Sequence, residues 1–210
     1  MRTGLTRLNL GCASQIVDGW INVDYALGAR LAKMPFFRAL NRKMGLFGTD
    51  WNPRILIHNL TKRFPWSDAS VDVVYSSHTL EHFPKADGLR FLTECHRVLR
   101  KNGIIRIVVP DLRPIIDGYV LGRIPADGFL GRLGVVSADP GNTFKRRLSA
   151  LFSVSPHMCM YDSPRLVQIL DEIGFEASTR SPFDSDIEDI RTIEQESRTE
   201  NAAIVEGRKT

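Results

Sequence analysis

Apolar and polar residues alternate across residues 5–10, and the run stops at Gly11, the pattern of a strand delivered into a tight turn. A second short strand, residues 20–23, ends at Asp24; residues 54–57 predict a third and 71–76 a fourth. The fifth, 104–109, is β-branched almost throughout, as a strand buried on both faces should be. Five strands separated by helical or turn-rich segments predict a parallel sheet.

Between the fourth and fifth strands, Leu89, Leu92, His96 and Leu99 recur at spacings of three or four, predicting a helix over 85–100 with Asn102 and Gly103 as its exit. A later helix has Ser163 as N-cap, Pro164 at the first helical position, Leu166, Val167, Ile169 and Leu170 as its apolar face, and Gly174 as its stop. Residues 175–178 and 202–206 are candidate final strands. The stretch 111–162, rich in Gly and Pro, exceeds an ordinary connection and reads as a substrate lid, functional or partly helical. The acidic run 184–200 reads as a solvated helix or loop. With no internal repeat or low-complexity segment, the expectation is one domain over 1–210.

Hydrophobic residues make up 43% of the 210, enough for a continuous core. Charged residues make up 25%, and no apolar run approaches the roughly 18 residues needed to span a bilayer. The N-terminus, with Arg2 and Arg7 around a short apolar stretch, lacks the longer apolar region of a signal peptide, so a soluble, cytoplasmic protein is expected. Cys12, Cys95 and Cys159 are odd in number and far apart, which argues against a disulfide framework or a Cys-x-x-Cys metal site. A net charge of +4 over a whole domain says little about nucleic acid without local clustering.

In an open parallel sheet, ligands sit beyond the carboxyl ends of the strands, where the strand order reverses. Gly11 and Asp24 both fall there: the glycine permits a tight turn and close ligand approach, and the carboxylate can accept both hydroxyls of a ribose. Together they read as an adenosine-binding edge, although a strand followed by glycine is, taken alone, more often only a turn. Dinucleotide enzymes need Gly-x-Gly-x-x-Gly to lay a pyrophosphate on backbone amides, and the run from Gly11 through Cys12, Ala13, Ser14 and Gln15 to Ile16 lacks the second and third glycines. NAD and FAD are disfavoured.

LNLGCA at the first strand, GWINVDY through Asp24, IHNL followed by FPW, SVDVVYSSHTLEHF, and ECHRVLRKNGIIRIVVPDL occur in order. In these motifs the first half of the chain resembles the class I S-adenosylmethionine-dependent methyltransferases of the methyltransferase-11 type, with weaker echoes in HMCMYD, a later GF and the closing VEG. The resemblance implies a Rossmann-like, doubly wound, mostly parallel seven-stranded α/β sheet with an antiparallel final strand and an inserted helical lid. It implies S-adenosylmethionine as cofactor, with Asn9, Gly11, Cys12 and Ala13 at its methionine end, Asp24 on the ribose and Tyr25 along the adenine. Asn59, where the family usually has aspartate, would accept from the adenine amino group beside Leu60. Ser76, Ser77 and His78 would complete the pocket. Ala13 replaces the usual second glycine and would narrow it.

His78, Glu81 and His82 also spell His-x-x-Glu-His, the signature of inverted zinc metalloproteases. That chemistry needs the run in mid-helix, whereas here it follows a buried strand and is cut off by Pro84; a zinc hydrolase is a remote alternative and no metal is expected. Glu81 and His82 are read as bracing the loop, and His58 and His96 as packed or surface residues. His157 precedes Met158, Met160, Tyr161 and Asp162, where Tyr161 and Asp162 either pack and cap the next helix or His157 or Tyr161 faces the acceptor.

Methyl transfer to a hydroxyl or amine needs alignment and a base, for which His78, His157 and Asp111 are the candidates. Arg30, Lys33, Arg38, Arg42 and Lys43 accompany Leu31, Met34, Phe37, Leu40 and Met44 in an amphipathic basic stretch, and Lys145, Arg146 and Arg147 lie in the lid. These clusters are either solvated surface or contacts for an anionic acceptor, such as a sugar phosphate, a lipid-linked glycan or a membrane surface. RNA is disfavoured, because no basic strip is interleaved with aromatics. The resemblance favours a small-molecule or glycan acceptor and O-methylation, with a non-catalytic binding protein of the same fold as the alternative.

Overall fold

Seven strands form one sheet in the order β3-β2-β1-β4-β5-β7-β6: β1 Arg7–Leu10, β2 Ile21–Asp24, β3 Leu56–Ile57, β4 Val71–Ser77, β5 Leu99–Pro110, β6 Phe175–Thr179 and β7 Ala202–Lys209. The computed structural model describes residues 4–34, 36, 51–135 and 156–210. β1 to β5 pair in parallel, and β7 runs antiparallel to both β5 and β6. This is the Rossmann-like, mostly parallel sheet with an antiparallel final strand that the family resemblance implies. The chain starts in the middle of the sheet at β1, so β2 and β4 leave it in opposite directions and open a crevice above their carboxyl ends.

β4 is buried along its whole length, and Leu8, Leu10, Val71, Val74, Ile105 and Ile107 join one core with Phe91, Leu92 and Leu166 from the covering helices. Those helices are α2, Lys85–Val98, and α5, Ser163–Ile173; α1 is the short helix Leu27–Leu31 after β2. Two helix boundaries differ from expectation. α2 does not run to the Asn102–Gly103 exit: Leu99 already has extended geometry and opens β5, while Asn102 at φ +64° and Gly103 form an irregularity inside that strand. A Cβ at Gly103 would stand 2.9 Å from the Arg100 carbonyl, so the glycine serves the tight strand path, not the helix stop. α5 is capped by Asp162, which accepts from Arg165 N at 3.0 Å, and not by Ser163, which is the first helical residue.

Within the region expected as a lid, Leu112–Val120 (α3) and Ala126–Leu133 (α4) are helical. Of the two basic clusters, Arg38, Arg42, Lys43, Lys145, Arg146 and Arg147 lie outside the described residues, with Phe37, Leu40 and Met44. Among the described residues no helix is long and apolar enough to cross a membrane.

The acidic run 184–200 corrects the sequence reading. Ile187, Ile190 and Ile193 are buried with Val17, Trp20, Tyr75 and Val108, so the segment closes one face of the sheet. Burying each isoleucine is worth about 1.5–3 kcal/mol. The segment is held by Arg106 of β5, whose fully buried guanidinium donates from Nε and Nη2 to both oxygens of Glu194 at 2.9 Å and from Nη1 to Glu206 at 3.1 Å. Nη1 also donates to the Asp184 carbonyl at 2.7 Å, and Nη2 to that of Ser181 at 3.1 Å. Every guanidinium donor is thereby matched.

Candidate functional site

The turn after β1 brings its backbone back onto β2: the amides of Gly11 and Cys12 both donate to the Val23 carbonyl, at 2.9 and 3.1 Å. Gly11 has φ +75°, and a Cβ there would come within 1.9 Å of Thr79 Oγ1, so both the turn and the close approach of the β4 exit require glycine. Two residues on, Ala13 holds φ +49°, a conformation that L-residues other than glycine adopt at a cost. The buried Asp24 carboxylate fixes both loops, accepting from Ala13 N at 2.8 Å and Ala26 N at 2.6 Å. Each oxygen keeps a further lone pair for a ligand hydroxyl.

Above this turn lies a cavity of about 690 Å³. Gly11, Ala13, Asp24, Tyr25, Asn59, Leu60, His78 and His157 from the sequence prediction line it, together with Glu81 and His82. The crevice is open, and Gly11 and Asp24 face the same space. Tyr25 and Trp51 supply aromatic surface on the β2 side, and Gly28 lets Trp51 lie close, since a Cβ there would stand 2.2 Å from the indole nitrogen. Asn59 is committed differently from expectation: its amide oxygen already accepts from Thr61 N at 3.0 Å and Thr61 Oγ1 at 2.9 Å. Its amide nitrogen, a donor, is what it can offer a ligand.

Other predicted residues lie behind the cavity wall. Asn9 donates to Asn22 at 2.9 Å, and Ser76 donates to the Leu10 carbonyl at 2.9 Å. Ser77 is buried in β4. Cys12 is buried, and desolvation, then the nearby Asp24 charge, pushes its thiol up to about 12. Asp111 caps α3 through Arg113 N at 2.9 Å, and Tyr161 packs in the main core beneath α2, its phenol pushed up by burial and by Cys159. The structural alternative considered for Tyr161 and Asp162, packing and capping, matches their placement.

The far wall carries most of the ionisable groups. His78, at φ +51°, leaves β4 and is followed by a single 3-10 turn, Leu80–His82, before α2. That is the short turn expected from Pro84, not the mid-helix setting of a zinc protease. His78 Nε2 lies 2.9 Å from the Arg198 carbonyl, and Nδ1 lies 3.4 Å from Glu81 Oε1. Burial opposes protonation of His78, but Glu81 and the Arg198 carbonyl outweigh it and hold its pKa above the ordinary imidazole value. Glu81 is fully buried and neither of its oxygens has a hydrogen bond, while its backbone carbonyl accepts from Met158 N at 2.7 Å and Cys159 N at 3.1 Å. Bracing is therefore done by its main chain.

The sequence reading missed Arg198. It lies in a short helix, Glu196–Thr199, at the end of the acidic run, lines the cavity and donates to the Ser77 carbonyl at 3.2 Å. Its separation of 120 residues from His78 leaves no spacing signal.

Residues 10–107 match the family model described as "Methyltransferase domain", of the methyltransferase-11 type. This span, a little under half of the chain, is similar to methyltransferase domains. The matched span runs from the end of β1 into β5 and so contains Gly11, Asp24, Asn59 and the Ser76–His82 stretch of the site. No curated protein sequence matches the chain. Among solved structures, the YcgJ protein from Bacillus subtilis is similar at TM-score 0.54 and 14% identity, over 99% of this chain and 93% of that one. A SAM-dependent methyltransferase from Archaeoglobus fulgidus gives 0.51 and 16%, over 99% and 87%. An O-methyltransferase family protein from Burkholderia thailandensis gives 0.52 and 12%, over 99% of this chain and 52% of that one. At these identities the likeness is one of fold alone, and it takes in β6 and β7 as well as the matched span.

Proposed function

We propose that the protein is a cytoplasmic S-adenosylmethionine-dependent methyltransferase acting on a small molecule or glycan, most simply at a hydroxyl. The observation that carries this is the convergence of Gly11 and Asp24 on one open cavity at the carboxyl ends of β1 and β2, within a chain segment that matches a methyltransferase domain. The chemistry of the donor set fits the cofactor. A buried carboxylate with spare lone pairs suits ribose hydroxyls, Tyr25 and Trp51 suit a planar base, and a single glycine suffices where no pyrophosphate must be cradled. When bound, S-adenosylmethionine supplies an electrophilic methyl group on a sulfonium.

The protein's own part is to hold the acceptor in line, exclude water and receive a proton. The wall formed by His78, Glu81, His82 and His157 is where such a proton would go. Asp111 and Tyr161 stand outside the cavity lining, so among the candidate bases the imidazoles are preferred. The helices Leu112–Val120 and Ala126–Leu133 act as the described part of the substrate lid, since Leu133 and Gly134 hold His157 at the cavity wall. A cavity of about 690 Å³ suits a small-molecule or glycan acceptor better than a polynucleotide.

Calorimetry with S-adenosylmethionine and S-adenosylhomocysteine tests the reading. Micromolar binding is expected, weakened at least about tenfold, or 1.4 kcal/mol, by Asp24→Asn, which keeps one acceptor oxygen for the loop amides. Absence of binding to the folded wild-type protein would favour the non-catalytic alternative, which the strained Ala13 and the committed oxygen of Asn59 keep in view. Cofactor turnover in a screen of sugar nucleotides and glycan fragments would identify the acceptor.

A further inference from the structure

We propose that Glu81, His82 and His157 form a binding site for one divalent transition-metal cation of the zinc class in the wall of the cavity. One ligand atom from each lies within 4.8 Å of the others, and the three residues border the same cavity, Glu81 with its side chain buried behind the imidazoles. The two imidazole rings stand 5.1 Å apart, and His82 Nε2 lies 4.0 Å from Glu81 Oε1.

Two further observations point to a cation. Glu81 is fully buried with neither oxygen hydrogen-bonded; His78 Nδ1 stands 3.4 Å from Oε1, and Oε2 still has a lone pair to offer a cation. Moreover, each histidine has its Nδ1 turned to a backbone carbonyl: that of His157 to Leu133 at 2.7 Å, and that of His82 to Pro156 at 3.5 Å. Donation from Nδ1 leaves the lone pair on Nε2, the outer-shell arrangement that orients metal-binding imidazoles. Gly134 belongs to the same device, because a Cβ there would sit 2.5 Å from His157 Nδ1.

Two histidines and a glutamate are a catalytic zinc donor set, with the fourth position left to water or a substrate oxygen. The set differs from the protease reading of the same motif, in which His78 and His82 bind metal and Glu81 acts as base. Here His78 faces the Arg198 carbonyl, and His157, from a distant segment, completes the triad. A cation so placed would lower the pKa of a coordinated acceptor hydroxyl. That role rests on the methyltransferase reading, but the existence of the site does not.

The test is titration of the full-length, chelator-treated protein with cobalt(II) chloride, read by its visible ligand-field spectrum, followed by competition with zinc(II). One equivalent bound through nitrogen and oxygen donors and displaced by zinc is expected. His157→Ala and Glu81→Gln should each weaken cobalt binding by about 100-fold or more, and His96→Ala, outside the cavity, should leave it unchanged. No stoichiometric binding to the wild type, a thiolate charge-transfer band implicating Cys159, or full affinity in a folded His157→Ala variant would each overturn the proposal. Calorimetry with S-adenosylmethionine on the same sample separates the two readings. Cofactor binding without cobalt binding removes only the metal site, and cobalt binding without cofactor binding removes only the methyltransferase.

Discussion

Two buried clusters in this protein contain glutamates, and they are finished in opposite ways. Around Arg106, Glu194 and Glu206 meet the guanidinium and also accept from Phe183 N at 2.6 Å, Ser185 Oγ at 2.5 Å and Asp186 N at 2.8 Å. Around Glu81, a carboxylate with no exposed surface has the imidazoles of His78 and His82 within 4.0 Å and no hydrogen bond among the described residues. The first cluster satisfies every rule for burying charge and joins the sheet to the 181–206 segment. The second breaks those rules beside an open cavity, which is where an unsatisfied group is useful.

The comparison is broken most severely by removing Arg106. Arg106→Leu leaves two buried carboxylates without their cation, and a loss of about 3–5 kcal/mol in urea unfolding is expected. A loss under about 1 kcal/mol would mean that the segment is held by its isoleucines alone. Gly11→Ala comes next. It forces a Cβ against Thr79 and holds φ at +75°, so a loss of about 2 kcal/mol is expected, with cofactor affinity falling as the turn moves. Wild-type stability in that variant would show that the turn can relax away from β4. Glu81→Gln should be far gentler than Arg106→Leu, changing stability by less than about 1 kcal/mol, because no hydrogen bond is lost and a buried charge is removed. A loss comparable to that of Arg106→Leu would place Glu81 among the structural braces and end the contrast.

The same contrast explains what the sequence made legible. β5 announces itself because a strand buried on both faces is rich in β-branched residues, and β1 by the alternation that stops at Gly11; Gly11 and Asp24 follow from where such strands end. The brace was hidden. Ile187, Ile190 and Ile193 recur every three residues, but seven acidic residues between 184 and 200 mask that stripe, and nothing local reveals that one of them, Glu194, answers a charge 88 residues earlier. Arg106 itself is the clue that was available: a charged residue amid IIRIVV demands a buried partner. The cavity's far wall was half legible, since the His78–His82 run could be read, while the partnership with His157 and Arg198 depends on tertiary folding alone.

The smallest effect sharpens the cavity side of the comparison. Ala13 holds φ +49° where the methyltransferase-11 resemblance implies glycine, and its amide is bound to the Asp24 carboxylate. Relief of the left-handed conformation in Ala13→Gly is worth about 1–2 kcal/mol, and the added freedom of glycine in the unfolded chain takes back about 0.5–1 kcal/mol. The expected net is a gain of about 0.5–1 kcal/mol, read as a rise of a few degrees in Tm, with cofactor binding equal or tighter because the Asp24 contact is kept and a methyl leaves the cavity wall. If stability rises while affinity falls, the strained alanine is itself part of how this cavity is shaped for its ligand, and the cavity then departs from the brace in its backbone as well as in its charges.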